Sequence, residues 1–180
     1  MPDAWSSVRF NLHSVATAIL ADLLAQRSPV EYPEGAFVAG VLHDLGQLVI
    51  ALALPDQYTR IRQTHEATKQ SLRECERGLL GFSHEEMGAA ALERWNLPQP
   101  IRHAVLHHHE PGPVEAGGLQ LSHLLHAADL TVNQFGISIL AGHPEIDDTY
   151  PQLVEIGVGP HLSKILLEFH TEFDAIRSFF

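Results

Sequence analysis

His43 and Asp44 stand side by side in the stretch Leu42-His43-Asp44-Leu45-Gly46, with further side chains able to bind a metal spread around them. His84, the pair His108-His109 and Asp129 follow and His13 precedes, which makes five histidines and two aspartates in all. A histidine offers a cation one neutral nitrogen, and an aspartate can bridge two cations with its two oxygens. Such a set suits a two-metal cluster, in which ions ~3.5–4 Å apart clamp a phosphoryl group and activate water for in-line attack. One histidine beside one aspartate is a weak signal. The ordered set His, His-Asp, His, His-His, Asp is a much stronger one.

Adjacent ligands raise a geometric problem. Neighbours on an intact helix point about 100° apart. His43 and Asp44 therefore reach one centre only if the helix is distorted, and Gly46 is the residue expected to loosen it. His108 and His109 share the difficulty, eased by lying near a helix end. Adjacent ligands are best read as serving neighbouring positions of one cluster.

The remaining histidines have blander readings. His65, His143, His161 and His170 have no acidic or histidine partner at ligand spacing and are read as surface residues. His107 extends the pair to a triplet and could replace one of its members; it shares a helix face with His103. His123 and His126 lie on the same helix as Asp129. His126 falls on the side of Asp129, where it supports a ligand from behind or is simply packed in the core.

Composition narrows the chemistry. Lys+Arg 11 against Asp+Glu 22 gives a net charge of −11 with neutral histidines. A nucleic-acid duplex or an anionic membrane is repelled by that balance, whereas a small anion is not excluded, because bound metal reverses the local field. Cys75 is the single cysteine, which excludes a disulfide framework and a Cys-rich zinc site. Imidazole and carboxylate suit Fe, Mn, Zn, Ni or Co. The longest apolar run, Leu48 to Leu54, is far too short to span a bilayer. Met1-Pro2-Asp3-Ala4-Trp5 lacks the basic-then-apolar pattern of a signal peptide, so a cytoplasmic protein is expected.

The elements that must position these residues read as helices throughout. Leu12, Val15, Ala16, Ile19, Leu20, Leu23 and Leu24 recur at helical spacing and define one apolar face. Arg27 and Ser28-Pro29 end that helix. Pro33 suits the first turn of the next, which carries Phe37 to Leu42, and Pro55 restarts the chain after Leu54. Ser83-His84-Glu85-Glu86 has the form of a capping box and puts His84 in the first turn of a helix running to Trp95. Further helices are expected from Pro98 to about His109 and from about Gly118 to Phe135. The span 136–159 reads as loop with at most short helices, and a last helix starts near Pro160. Its apolar residues Phe169, Phe173, Ile176, Phe179 and Phe180 serve as core or as a partner face. No run alternates like a sheet strand. The fold class expected is all-α, a compact helical bundle of one domain over 1–180, with a ligand-bearing core of about 10–130 and a helical extension of about 150–180.

The ordered set resembles the HD-domain superfamily of metal-dependent phosphohydrolases. Finer features resemble its HDOD branch, the HD-related output domains of bacterial signalling proteins. They are Phe37-Val38-Ala39-Gly40-Val41-Leu42-His43-Asp44-Leu45-Gly46, Glu74-Cys75-Glu76, Phe82-Ser83-His84-Glu85-Glu86-Met87-Gly88-Ala89, Trp95-Asn96-Leu97-Pro98, His108-His109-Glu110-Pro111 and Ala127-Ala128-Asp129. The resemblance implies His13, His43, Asp44 and Asp129 around one metal, with Asp44 bridging to a second held by His84, His108 and His109. It takes His108-His109 rather than His107-His108 because that pair directly precedes Glu110-Pro111.

Two departures bear on activity. The cyclic-dinucleotide phosphodiesterases of the superfamily carry a lysine shortly after the His-Asp pair, and here that position is Gln47, which brings no charge. Their Gly-Tyr-Pro motif is also missing, the chain reading Glu110-Pro111-Gly112-Pro113-Val114 instead. The resemblance thus implies first a signal-transduction output module that retains its dinuclear site and answers to a small phosphorylated ligand or a regulatory protein. The alternative is a phosphohydrolase acting on a small phosphorylated ligand such as a nucleotide, with Asp44 as its catalytic carboxylate. A third is a di-iron oxygenase using the same ligands.

Overall fold

The computed structural model describes residues 1–3, 5–114, 118–140 and 150–180. Among them the chain is all-α, with helices α1 (Ser7–Ala25), α2 (Ala36–Leu42), α3 (Leu45–Ala53), α4 (Pro55–Thr68), α5 (Leu72–Leu80), α6 (His84–Arg94), α7 (Gln99–His107), α8 (Leu121–Gln134), α9 (Tyr150–Glu155) and α10 (Leu162–Arg177). The described residues contain no strand, only an isolated bridge between Val30 and Leu119.

α1 is the central helix. Ser6 caps it by accepting a hydrogen bond from the Arg9 backbone N–H. Its apolar stripe packs inward as expected, but Ser14, Thr17, Ala18, Ala21 and Ala25 are buried too, because α2, α8 and α10 all lie against it. By length and composition alone, Ser7–Ala25 and Pro33–Ala53 pass as membrane spans, contrary to the reading from uninterrupted apolar runs. In the fold the first is this central helix, and the second is broken at His43-Asp44. One apolar core joins α1 and α2 to α6–α10. A second, smaller one gathers Ile50, Ala51, Tyr58, Ile61 and Cys75 on the other side of α3.

The break that frees His43 and Asp44 lies at those residues and not at Gly46. α2 ends at Leu42, and Asp44, with φ −99° and ψ 13°, precedes the first turn of α3. Gly46 lies inside α3 and has a different task. A Cβ there would meet the His84 carbonyl oxygen at 1.9 Å and the Gly88 nitrogen at 2.9 Å. Gly40 does the same for α2, where a Cβ would stand 2.4 Å from the Ala18 Cα in α1. The two glycines bring the backbones of α1 and α6 against the helices on either side of the His-Asp pair.

The second half of the chain follows the expected outline with adjusted ends. Both members of the Ser83–Glu86 capping box are present. α7 stops at His107, so His108 and His109 sit on its C-terminal exit. α10 divides the apolar tail: Phe169 and Phe173 join the core, whereas Ile176, Phe179 and Phe180 are exposed.

Gly46→Ala is expected to destabilise the fold by about 1–3 kcal/mol or more, since backbone and not a flexible side chain blocks the added methyl. Gly78→Ala in α5, with nothing within 4 Å, is expected to stabilise by about 0.5–1 kcal/mol through helix propensity. Denaturant unfolding of both variants reads the two signs; a neutral Gly46→Ala contradicts the close approach.

Candidate metal centre

All seven ligand candidates converge. His13 comes from α1, His43 and Asp44 from the α2–α3 break, His84 from the first turn of α6, His108 and His109 from the end of α7, and Asp129 from α8. Asp44, His84, His108 and His109 form one cluster with ligand atoms within 4.8 Å of one another, and His13, His43 and Asp129 form another. Asp44 faces both. Its Oδ2 lies 3.2 Å from His43 Nε2 and 3.6 Å from His13 Nε2. Its Oδ1 lies 3.3 Å from His84 Nε2 and 3.9 Å from His108 Nε2. Asp129 Oδ1 stands 3.1 Å from His13 Nε2, and Oδ2 stands 3.9 Å from His109 Nδ1.

The imidazoles are oriented from behind. Nδ1 of His13 is 2.8 Å from the Ile137 carbonyl, that of His43 2.8 Å from Gly40, and that of His108 2.7 Å from Val105. Nδ1 of His84 meets Glu76 Oε2 at 2.7 Å, and the same oxygen accepts the His84 backbone N–H. Each partner is an acceptor, which puts the proton on Nδ1 and leaves Nε2 free for a cation. The Nε2 atoms then face one another, at 3.1 Å for His13 and His43 and 3.0 Å for His84 and His109. For His13 and His43, two neutral imidazoles in that posture oppose lone pair to lone pair, and a proton or a cation must lie between them, whereas His109, whose tautomer none of these acceptors fixes, can donate its own Nε2–H to His84. Asp44 Oδ1 and His108 Nε2 are buried with no hydrogen-bond partner. These orphaned atoms and a donor set of imidazole and carboxylate fit a divalent transition metal.

The electrostatics carry the same mark. Burial works against the imidazolium of His43, but Asp44, Asp129 and the Gly40 carbonyl outweigh it and raise its pKa to about 9. For His84 burial is likewise outweighed, by Glu76, Asp44 and Glu85, again to about 9. Burial and the surrounding imidazoles hold His108 and His109 well below their ordinary value. Asp44 is held well below the usual carboxylate range by His43, His84 and His13 despite its burial. Asp129 is lowered against burial by His13 and His43.

A cavity of about 430 Å³ opens onto His13, Asp44, His84, His109 and Asp129. Gln47 lines it, in place of the lysine. So does Arg73 of α5, whose guanidinium is tied to Glu85 and to both oxygens of Glu110.

The other histidines sort clearly. His107 packs against His103 with ring centroids 4.4 Å apart and the rings tilted by 43°, and the cluster around Asp44 holds His108 and His109 rather than His107. His126 Nδ1 donates to the His108 carbonyl at 2.7 Å and buttresses that ligand's backbone. His123 is buried, and its Nδ1 accepts the Gln120 N–H. His161 and His170 are exposed, and His143 lies outside the described residues. His65 departs from its surface reading: it is half-buried and lines the cavity. The residues missed by spacing are Glu76 as the partner of His84, and Arg73.

The HDOD domain profile matches residues 2–111. The chain belongs to the HDOD family. A solved HDOD domain protein of unknown function from Geobacter sulfurreducens shares the fold with a TM-score of 0.77, at 24% identity over 95% of this chain and 61% of its own. The MmoQ response regulator from Methylococcus capsulatus superposes with a TM-score of 0.72, at 20% identity over 91% of this chain and 63% of its own. An uncharacterized protein of Treponema pallidum (strain Nichols) is 28% identical over 74 residues, 41% of this chain and 14% of that one. This HDOD chain thus spans less than two thirds of each of these relatives.

Metal uptake by this HDOD chain is expected to displace protons. His43 and His84, raised to about 9, stabilise the metal-free fold fully below the unfolded value of about 6.5, and that stability is lost as pH rises through 9. His108 and His109 act oppositely, their contribution being lost as pH falls below about 6.5, and Asp44 and Asp129 contribute above the ordinary carboxylate pKa. Metal needs neutral imidazoles, so proton competition begins near pH 9 rather than only at 6.5. Calorimetric titration with metal at pH 7.5, in two buffers of different ionisation enthalpy, should show release of up to one proton each from His43 and His84, fading toward pH 10. No release at pH 7.5 contradicts the assignment.

Proposed function

We propose that this chain is a cytoplasmic output module of bacterial signal transduction, of HDOD type, whose bundle holds two divalent transition-metal ions. One observation carries the metal part of this reading: Asp44 turns one oxygen toward His13 and His43 and the other toward His84 and His108. The ligand sets are then His13, His43, Asp44 and Asp129 for one ion, and Asp44, His84, His108 and His109 for the other. Fe, Mn, Ni, Co and Zn all suit these donors. Bound there, the pair supplies electrostatic stabilisation of a phosphoryl group and activation of water. The chain's own residues do the rest. Glu76 fixes the proton of His84 on Nδ1, the carbonyls of Gly40, Ile137 and Val105 do the same for their histidines, and Asn133 donates to Asp129 Oδ1 at 2.7 Å.

The signalling role draws on the family and on Gln47. A neutral amide cannot supply the positive charge that holds a phosphate or protonates a leaving group. The module takes 1–180 as one domain and responds to a small phosphorylated ligand or a regulatory protein partner. A second reading, a metal-dependent phosphohydrolase with Asp44 as catalytic carboxylate, is favoured by the cavity that opens onto that residue.

A phosphoester panel on metal-loaded protein separates the two. The signalling reading expects turnover no higher than that of Asp44→Ala on p-nitrophenyl phosphate, nucleotides and cyclic dinucleotides. Turnover that disappears in Asp44→Ala would make the protein a phosphohydrolase.

A further inference from the structure

We infer that the cavity over the metal centre takes a small anion with one charged head group on an aliphatic body, and that it discriminates against nucleotides. The inference rests on the two-metal reading and names the ligand of that site.

The cavity floor consists of candidate ligands, and its walls include Leu72, Leu130, Ile139 and Leu140. Among the described residues the lining holds no Phe, Tyr or Trp, so a nucleobase finds none of the larger rings on which bases stack best, only imidazoles and the guanidinium of Arg73, which Glu85 and Glu110 hold in place. Three polar wall groups are already engaged with the protein, Gln47 Oε1 being the buried exception that has no partner. Asn133 donates to Asp129, Ser138 Oγ accepts the Leu140 N–H, and His65 Nδ1 donates to the Gln70 carbonyl. Gln47 Oε1 apart, a ribose would have to compete for these partners, whereas an alkyl chain needs none.

Charge limits the ligand further. Two divalent ions against the carboxylates of Asp44 and Asp129 leave an excess sufficient for one phosphomonoester or carboxylate. A second phosphate would need another cation. Arg73 is the one Lys or Arg among the described lining residues, and Glu85 and Glu110 already neutralise it. Gln47, where the resemblance would place a lysine, is buried and uncharged.

The test is calorimetric titration of metal-loaded protein with inorganic phosphate, then ethyl, butyl and hexyl phosphate, then butyrate and hexanoate, then AMP and ATP. Affinity is expected to rise about threefold to fourfold for each methylene that enters the cavity. AMP and ATP should bind no tighter than inorganic phosphate. Leu72→Asn should flatten the rise with chain length, and the phosphate and carboxylate arms identify which head group is preferred. A series with no dependence on chain length in either arm, or AMP or ATP binding tighter than hexyl phosphate, overturns the inference and leaves the metal reading standing. Failure to take up metal overturns the metal reading and this inference with it, and failure of the loaded protein to bind any phosphate or carboxylate of the series overturns the inference alone.

Discussion

Two carboxylates and four of five imidazoles sit almost wholly inside a bundle of aliphatic side chains, where an unpaired charge costs several kcal/mol. The fold meets that constraint by opposing Asp44 and Asp129 to the histidines and by giving four of those histidines an acceptor behind the ring. The result is a set of inward-facing Nε2 atoms that a proton satisfies in part and a cation satisfies better. Much else in the structure serves to keep those groups at that spacing.

The backbone pays attention to the same point. The helix breaks between Leu42 and Leu45, so His43 and Asp44 leave it in different directions. Gly40 and Gly46, on either side, admit α1 and α6 to backbone contact, which sets His13 and His84 over the break. Arg73 then joins Glu85, next to His84, to Glu110, next to His109. This latch ties α5 and the start of α6 to the exit of α7.

The candidate ligands are legible in sequence as one converging set because metal binding demands particular residue types, and the fold brings all seven together. The capping box before His84 was legible for a similar reason, since Ser83 and Glu86 act locally. Supports made of backbone were not: the carbonyls of Gly40, Val105 and Ile137 carry no residue signature. Glu76 stands eight residues before His84, and only the turn between α5 and α6 brings it underneath. In the sequence Gly46 suggests a loosened helix, but the demand on it comes from the neighbouring helix, which no local pattern reveals. His65 lacks a partner at ligand spacing, yet the fold turns α4 so that it lines the cavity.

The central claim is that this cluster of imidazoles and carboxylates exists to hold two metal ions. Elemental analysis of protein purified without chelator or affinity-tag metal tests it most directly. Close to two equivalents of a transition metal per chain are expected, retained on dialysis and reduced in His13→Ala and His84→Ala. Near-zero metal, with no uptake on reconstitution at neutral pH, would contradict it and leave the buried histidines as proton-sharing partners of Asp44 and Asp129.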